Sequence, residues 1–230
     1  MLDPSRVRAI SLDLDDTLWP IWPTIERAER VLNAWLQQRA PATAELFADA
    51  QRRLALREQF VQSRPDVAHD LSTVRRETIR LALSHANDNP ALAEEAFEVF
   101  FAERHQVELY DDALPSLRWL AQRYPLVALS NGNADVVRVG LSGVFTASVS
   151  ATTFGKAKPS PEIFDAAAQA VGVSSAEVLH VGDDAHLDVL GALGAGMQAV
   201  WVNRTAHPWS HAVKPHGTVA SLTELCDLLA

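Results

Sequence analysis

Short apolar segments that end in polar residues, spaced by stretches of helical periodicity, constrain this chain more than any other feature. VRAISLDL (7–14), PLVALS (125–130), TASVS (146–150), EVLHV (177–181) and QAVWV (198–202) are strand-like, and runs this short cannot be buried helices. Helical patterns flank the later ones, over Pro115–Arg123, a short stretch near 134–141, Pro161–Val171, a stretch near 187–195, and about Leu222–Leu229. Apolar strands alternating with helices predict βαβ units and a parallel sheet covered on both faces.

The first strand segment is separated from the second by a block of another character. Val31, Leu32, Trp35 and Leu36 recur at helical spacing, as do Leu92, Ala93, Ala96, Phe97, Phe100 and Phe101. Breaks at Ala40-Pro41, Arg64-Pro65 and Asn87–Pro90 divide the block into about four amphipathic helices. The expected fold is therefore α/β: a doubly wound, Rossmann-like parallel sheet interrupted after its first strand by an all-helical cap. On this reading residues 1–18 and 109–230 form the core and residues 19–108 the cap.

Charge and apolar content then narrow the function. The formal charge is −9, from 20 Lys+Arg against 29 Asp+Glu, which disfavours nucleic acid and anionic membrane as partners. No apolar run exceeds four residues, against the ~20 of a spanning helix. The start, MLDPSRVRAISLDLDD, lacks a signal-peptide apolar stretch, and the lone Cys226 fits a reducing compartment. A cytoplasmic location is expected.

Ligand sites in doubly wound sheets lie at the carboxyl ends of the strands. Asp13-Leu14-Asp15-Asp16-Thr17 stands at the first such end and Ser130-Asn131-Gly132 at the second. Gly155-Lys156-Ala157-Lys158-Pro159 follows the third, and Gly182-Asp183-Asp184 stands at the fourth, with Asp188 a helical turn on. These types suit a phosphate ester. Asp13 and Asp15 are two apart and share a face of an extended strand, so one can attack phosphorus while the other handles the leaving group's proton. Several carboxylates repel a dianionic phosphoryl group unless a divalent cation lies between them, and hard oxygen ligands point to Mg²⁺, with Asp183 a further ligand. Lys158 supplies positive charge and Ser130 a hydrogen bond to the phosphoryl oxygens. Taken singly, each motif has a structural explanation: a solvated turn, a helix cap, a surface lysine. Chance does not readily put all four at successive strand ends.

DLDDTL, SNGN, GKAKPSPEIF and HVGDDAHLDVLGA, in this order, resemble the four motifs of the haloacid dehalogenase-like hydrolase superfamily, and the helical block resembles its cap. The resemblance implies that Asp13 is the nucleophile, forming an aspartyl-phosphate, and that Asp15 is the general acid and then the base. It also implies phosphate binding by Ser130, Asn131 and Lys158. Mg²⁺ is implied at Asp13, the backbone carbonyl of Asp15 and Asp183, with Asp188 supporting. Asp184 falls in a more variable slot, Asp16 supports the turn, and His180 reads as a hydrogen-bonded core residue.

The expected activity is hydrolysis of a small-molecule phosphate monoester. A dehalogenase has no alcohol oxygen to protonate and no need of Asp15 or a metal. Phosphonate cleavage through an imine needs a cap lysine, and there is no lysine before Lys156. A phosphomutase or a sugar-phosphate phosphatase of the same superfamily shares this chemistry. A receiver-type phospho-accepting module shares the acids, hydroxyl and lysine, but has no use for a cap. SNGNA, HVGDD and GMQAVW are similar to a bacterial phosphatase subgroup acting on flavin mononucleotide and on the phosphorylated ribitylaminouracil intermediate. In the block, His69-Asp70-Leu71-Ser72-Thr73-Val74-Arg75 resembles a run of that subgroup. This suggests that Trp19 or Trp22 stacks on a planar ring while Arg75 or His69 contacts its polar groups.

Overall fold

The computed structural model describes residues 1–230, in two compact units: Ile21–Val107, and Met1–Pro20 together with Glu108–Ala230. Trp19 and Pro20 thus lie with the α/β unit. The unit Ile21–Val107 is all-helical: α1 (Ile21–Arg39), α2 (Pro41–Ala48), α3 (Ala50–Ser63), α4 (Leu71–His85) and α5 (Ala93–Arg104). Leu32, Leu36, Phe47, Ile79, Leu83, Phe97 and Phe100 form its core. Five helices stand where the apolar pattern suggested four. The additional boundary is Asp49, whose carboxylate accepts from the N–H groups of Gln51 and Arg52 at 2.8 and 3.2 Å. A side-chain cap ends one helix and starts the next without the Pro or Gly that marked the other breaks. Asp70 caps α4 in the same way, accepting from the N–H groups of Ser72 and Thr73.

The second unit is a single sheet with helices. Its strands are β1 (Ala9–Leu12), β2 (Leu126–Ser130), β3 (Ala147–Ser150), β4 (Val178–Gly182), β5 (Gln198–Val202) and β6 (Gly217–Val219), all parallel, in the order β3-β2-β1-β4-β5-β6. Every residue of β1, β2, β4 and β5 is buried, as expected of central parallel strands. The remaining helices are α6 (Ala113–Ala121), α7 (Ala151–Phe154), α8 (Pro161–Gln169), α9 (Gly191–Gly194) and α10 (Leu222–Leu229). A π-helical turn, Ala185–Leu190, runs directly into α9. Strand order reverses at β1: the chain moves outward through β2 and β3, then returns to β4 on the other side. That switch point opens a crevice at the carboxyl ends of β1 and β4. Leu12 pairs with Ala128 and Val181, and the Asp13 N–H donates to the Val181 carbonyl at 2.9 Å. The chain segments leaving these strands therefore emerge side by side.

Two expectations are corrected. Residues 134–141 form turns rather than a helix: Asp135 accepts from the N–H groups of Val137 and Arg138 as a helix cap does, but Gly140, left-handed at φ 82°, ends the turns at once. β6 was not anticipated: at three residues, beginning with glycine, it has no readable period. Cys226 is half-buried, with its thiol facing the Ser116 carbonyl at 3.9 Å.

Beneath the site, the Phe164 ring is fully buried and meets His180 edge to face at 5.1 Å. It also lies against Gly191, where an added Cβ would be 2.8 Å from the ring, so α8 and α9 approach as closely as a glycine allows. Phe164→Ala is expected to lower the unfolding free energy by about 3–5 kcal/mol, read from urea denaturation.

Candidate active site

The first segment to leave the sheet at the switch point carries Asp13, and the loop after α7 brings Lys158 against it. Lys158 is buried, and its ammonium makes three hydrogen bonds: to Asp13 Oδ1 at 2.5 Å, Asp188 Oδ1 at 2.6 Å and the Leu129 carbonyl at 3.0 Å. An ammonium has three hydrogens, so its donor capacity is filled. Burial alone would favour a neutral amine, but the two carboxylates outweigh it and push the lysine pKa up. On Asp188 burial acts to raise the pKa, and the Lys158 charge overrides it, holding the carboxylate below its usual range. Asp13 is pushed up, by burial first and further by Asp188 and Asp183, with Lys158 pulling the other way.

Asp188 is itself held from behind. His180 Nε2 lies 3.2 Å from Asp188 Oδ1, and His180 Nδ1 lies 2.8 Å from the Ser11 hydroxyl, all of them buried. Burial drives the imidazole pKa down, against the pull of Asp188, so the ring is neutral. A carboxylate only accepts; Nε2 therefore carries the ring hydrogen and Nδ1 accepts from Ser11. Asp188 Oδ2 accepts from the Asp184 N–H at 2.9 Å. Gly182 leaves room for this arrangement: a Cβ there would stand 2.3 Å from Asp188 Cγ.

Asp183 arrives from β4 and is fixed at two points. Its carboxylate accepts from the Thr17 hydroxyl at 3.1 Å, and its backbone carbonyl accepts from the Trp201 indole at 2.6 Å. Arg204 in turn donates to the Thr17 carbonyl at 3.0 Å and to both oxygens of Asp112 at 3.1 Å. Thr17, Trp201, Arg204 and Ser11 were not singled out from sequence for these roles. Thr17 stood in plain view inside DLDDTL, whereas Trp201 and Ser11 had no signal beyond an apolar strand.

The electrostatics favour a cation. Asp13, Asp183 and Asp188 each offer a carboxylate oxygen, all within 4.8 Å of one another. Lys158 alone brings a positive charge into contact with this group. Burial, and then repulsion from Asp188, pushes the Asp183 pKa up to about 7. Such a surplus of negative charge on hard oxygens fits a divalent metal ion.

The other expected residues divide. Asp15 and Ser130 line the cleft with Asp13, Lys158 and Asp183. Ser130 Oγ accepts from the Gly132 N–H at 2.9 Å, which leaves its hydrogen for a ligand oxygen. Asn131 also lines the cleft, but its side-chain amide is turned to the backbone of Lys158, accepting from its N–H at 2.7 Å and donating to its carbonyl at 2.9 Å. Its amide therefore fastens two loops and commits one of its two hydrogens to that link. Asp184 is exposed and caps the π-helical turn, accepting from the N–H groups of His186 and Leu187. Asp16 supports the turn, in the left-handed region at φ 59°. Trp19 is fully buried, with its indole hydrogen-bonded to Asp15, so it offers no face for a substrate ring. Trp22 is 69% exposed. Arg75 pairs with Glu29 at 2.7 Å and lies over the Phe100 ring, and His69 is half-buried.

The family model of the haloacid dehalogenase-like hydrolases matches residues 7–196, most of the chain. The chain belongs to this family. Among relatives, this hydrolase is 32% identical over 97% of both chains to the 5-amino-6-(5-phospho-D-ribitylamino)uracil phosphatase YigB of Escherichia coli (strain K12). It is 36% identical to the phosphoserine phosphatase of Thermus thermophilus, over 66% of this chain and 63% of that one. A crystal structure of a 2-haloacid dehalogenase from Pseudomonas syringae pv. Tomato DC3000 superposes with a TM-score of 0.92 and 34% identity, over 97% of this chain and 98% of that one. The hydrolase fold thus extends to both units, while the named activities of these relatives differ.

Because the Gly182 position abuts Asp188, Gly182→Ala is expected to displace that carboxylate from Lys158. The cost is about 3 kcal/mol of unfolding free energy, measured by urea titration.

Proposed function

We propose that this hydrolase is a Mg²⁺-dependent phosphatase that cleaves a small phosphate monoester through an aspartyl-phosphate on Asp13. The observation that carries the reading is a second carboxylate, Asp15, in the cleft that Asp13, Ser130 and Lys158 line. An alkoxide leaving group needs a proton, and a halide does not.

Lys158 engages Asp13 Oδ1, so the other carboxylate oxygen attacks phosphorus. As the Asp13–phosphorus bond forms, the ester bond breaks, and protonated Asp15 gives its proton to the departing alkoxide. Asp15, now a carboxylate, takes a proton from water as that water attacks phosphorus. The Asp13–phosphorus bond breaks, inorganic phosphate leaves, and both aspartates return to their starting states. Ser130 donates a hydrogen bond to the phosphoryl group throughout, and Lys158 keeps positive charge beside it. Asp13, Asp183 and the backbone carbonyl of Asp15 would hold Mg²⁺, which when bound neutralises these acids and the phosphoryl oxygens.

For the substrate, the likeness to the Escherichia coli enzyme over nearly the whole of both chains supports a ribityl phosphate bearing a planar ring, such as 5-amino-6-(5-phosphoribitylamino)uracil or flavin mononucleotide. A second reading, hydrolysis of a 2-haloacid, is raised by the Pseudomonas syringae structure. Asp15 has no work to do in it.

Asp13→Asn is expected to reduce phosphate release by at least about 10³-fold in a variant that still folds, as checked by circular dichroism, while chelation by EDTA abolishes turnover and added Mg²⁺ restores it. Retained activity in that variant would rule out the covalent route. Across a panel of sugar phosphates, nucleotides, flavin mononucleotide and 2-chloropropionate, kcat/KM is expected to be highest for the ring-bearing ribityl phosphates. Preference for small sugar phosphates would remove the ring, and chloride release would favour the second reading.

A further inference from the structure

We infer that Trp19 is a positioning residue for the general acid: its indole fixes the Asp15 carboxylate and determines which oxygen carries the catalytic proton. The inference rests on the acid–base role of Asp15 proposed above and adds to it the group that aims the proton.

The local chain dictates this contact. Asp16 adopts the left-handed conformation at φ 59°, and its N–H donates to the Trp19 carbonyl at 2.8 Å. The Leu18 N–H donates to the Leu14 carbonyl at 2.8 Å, and Asp15 and Trp19 form an isolated β-bridge. This tight turn brings the Trp19 side chain back over Asp15, where Nε1 donates to Asp15 Oδ1 at 2.9 Å. Trp19 is fully buried and among the largest buried side chains of the chain, so its ring cannot readily move away. A buried indole N–H needs an acceptor, and the carboxylate is the one it has.

Two properties turn this contact into a device. The terminal torsion of an aspartate is intrinsically broad, so the carboxylate plane is set by its partners and not by its own rotamer. An indole is donor-only: it can neither receive the acid's proton nor supply one. With Nε1–H directed at Oδ1, the proton of the acid form resides on Oδ2. The same oxygen then receives the proton from water in the second half of the reaction. Without the indole the carboxylate loses the contact that marks Oδ1 as the acceptor, and presents the wrong oxygen to the leaving group more often. A packing role alone would give an equal loss for all substrates. A positioning role penalises substrates in proportion to their need for a proton.

The test measures kcat/KM with Mg²⁺ on a series of substituted phenyl phosphates, from 2,4-dinitrophenyl phosphate to phenyl phosphate, for wild type, Trp19→Phe, Asp15→Asn and the double variant. Trp19→Phe is expected to widen the ratio between the best and poorest leaving groups by about tenfold, within the range that general acid catalysis supplies. Asp15→Asn is expected to widen it more, and the double variant no further than Asp15→Asn alone. A uniform loss across the series for Trp19→Phe, or an undiminished Trp19→Phe effect on the Asp15→Asn background, would overturn the inference while leaving the acid–base reading intact. If Asp15→Asn leaves the ratio unchanged, the acid–base reading itself fails and takes the inference with it. Should Trp19→Phe not fold, replacing Trp19 with benzothienylalanine, which keeps the bicycle and lacks the N–H, gives the same comparison with the same expected widening.

Discussion

One buried ammonium group joins the parts of this site. Lys158 Nζ reaches Asp13 beyond β1, the Leu129 carbonyl in β2 and Asp188 in the π-helical turn beyond β4. Isolated, such a charge would cost several kcal/mol to bury, and so would either carboxylate. Together they compensate one another, and the compensation holds only while the three segments keep their places. The position of Asp13, the rotamer of Asp188 and the absence of a side chain at Gly182 are consequences of that one requirement.

Outside this contact lies a shell of groups that touch no reacting atom in the proposed chemistry. Ser11 and His180 steady Asp188, Thr17 and Trp201 steady Asp183, and Arg204 ties Thr17 to Asp112. Most of these partners come from a different strand or loop than the acid they hold. Reacting groups supported in this way keep their geometry without relying on their own torsions, which is what preorganised catalysis demands. The parallel sheet makes it possible, since all its strands deliver their carboxyl ends to one edge.

Much of this was readable in the sequence. Short apolar strands and helical spacing were enough for the α/β class and the helical insertion, and the acids, serine and lysine at successive strand ends predicted the cleft that Asp13, Asp15, Ser130, Lys158 and Asp183 line. What escaped was set by single side chains. Asp49 divides two helices through a cap that no apolar period records. Gly140, in the left-handed conformation, stops the chain where helical spacing continues. Trp19 looked like a group for a substrate because its chemistry suits one, but it is buried with its hydrogen bond made to Asp15, and Asn131 carries a link to the Lys158 backbone that nothing in its motif announces. Residue type shows what a side chain can do; which neighbour claims it depends on contacts far apart in the chain, and spacing carries no trace of them.

The central position of β1 has a consequence for how the chain reaches this state. Ile10 pairs with Leu126 on one side and Leu179 on the other, so the earliest strand has both of its neighbours late in the sequence. The helical block makes largely local contacts and can organise early, while β1 waits for distant segments and must meet a large loop-closure cost to pair. During synthesis from the N-terminus, an unpaired Ala-Ile-Ser-Leu segment followed by three aspartates therefore emerges long before its partners. Charge beside an exposed apolar segment opposes its association with other chains, so the placement of these acids suits the unpaired strand as well as the finished cleft.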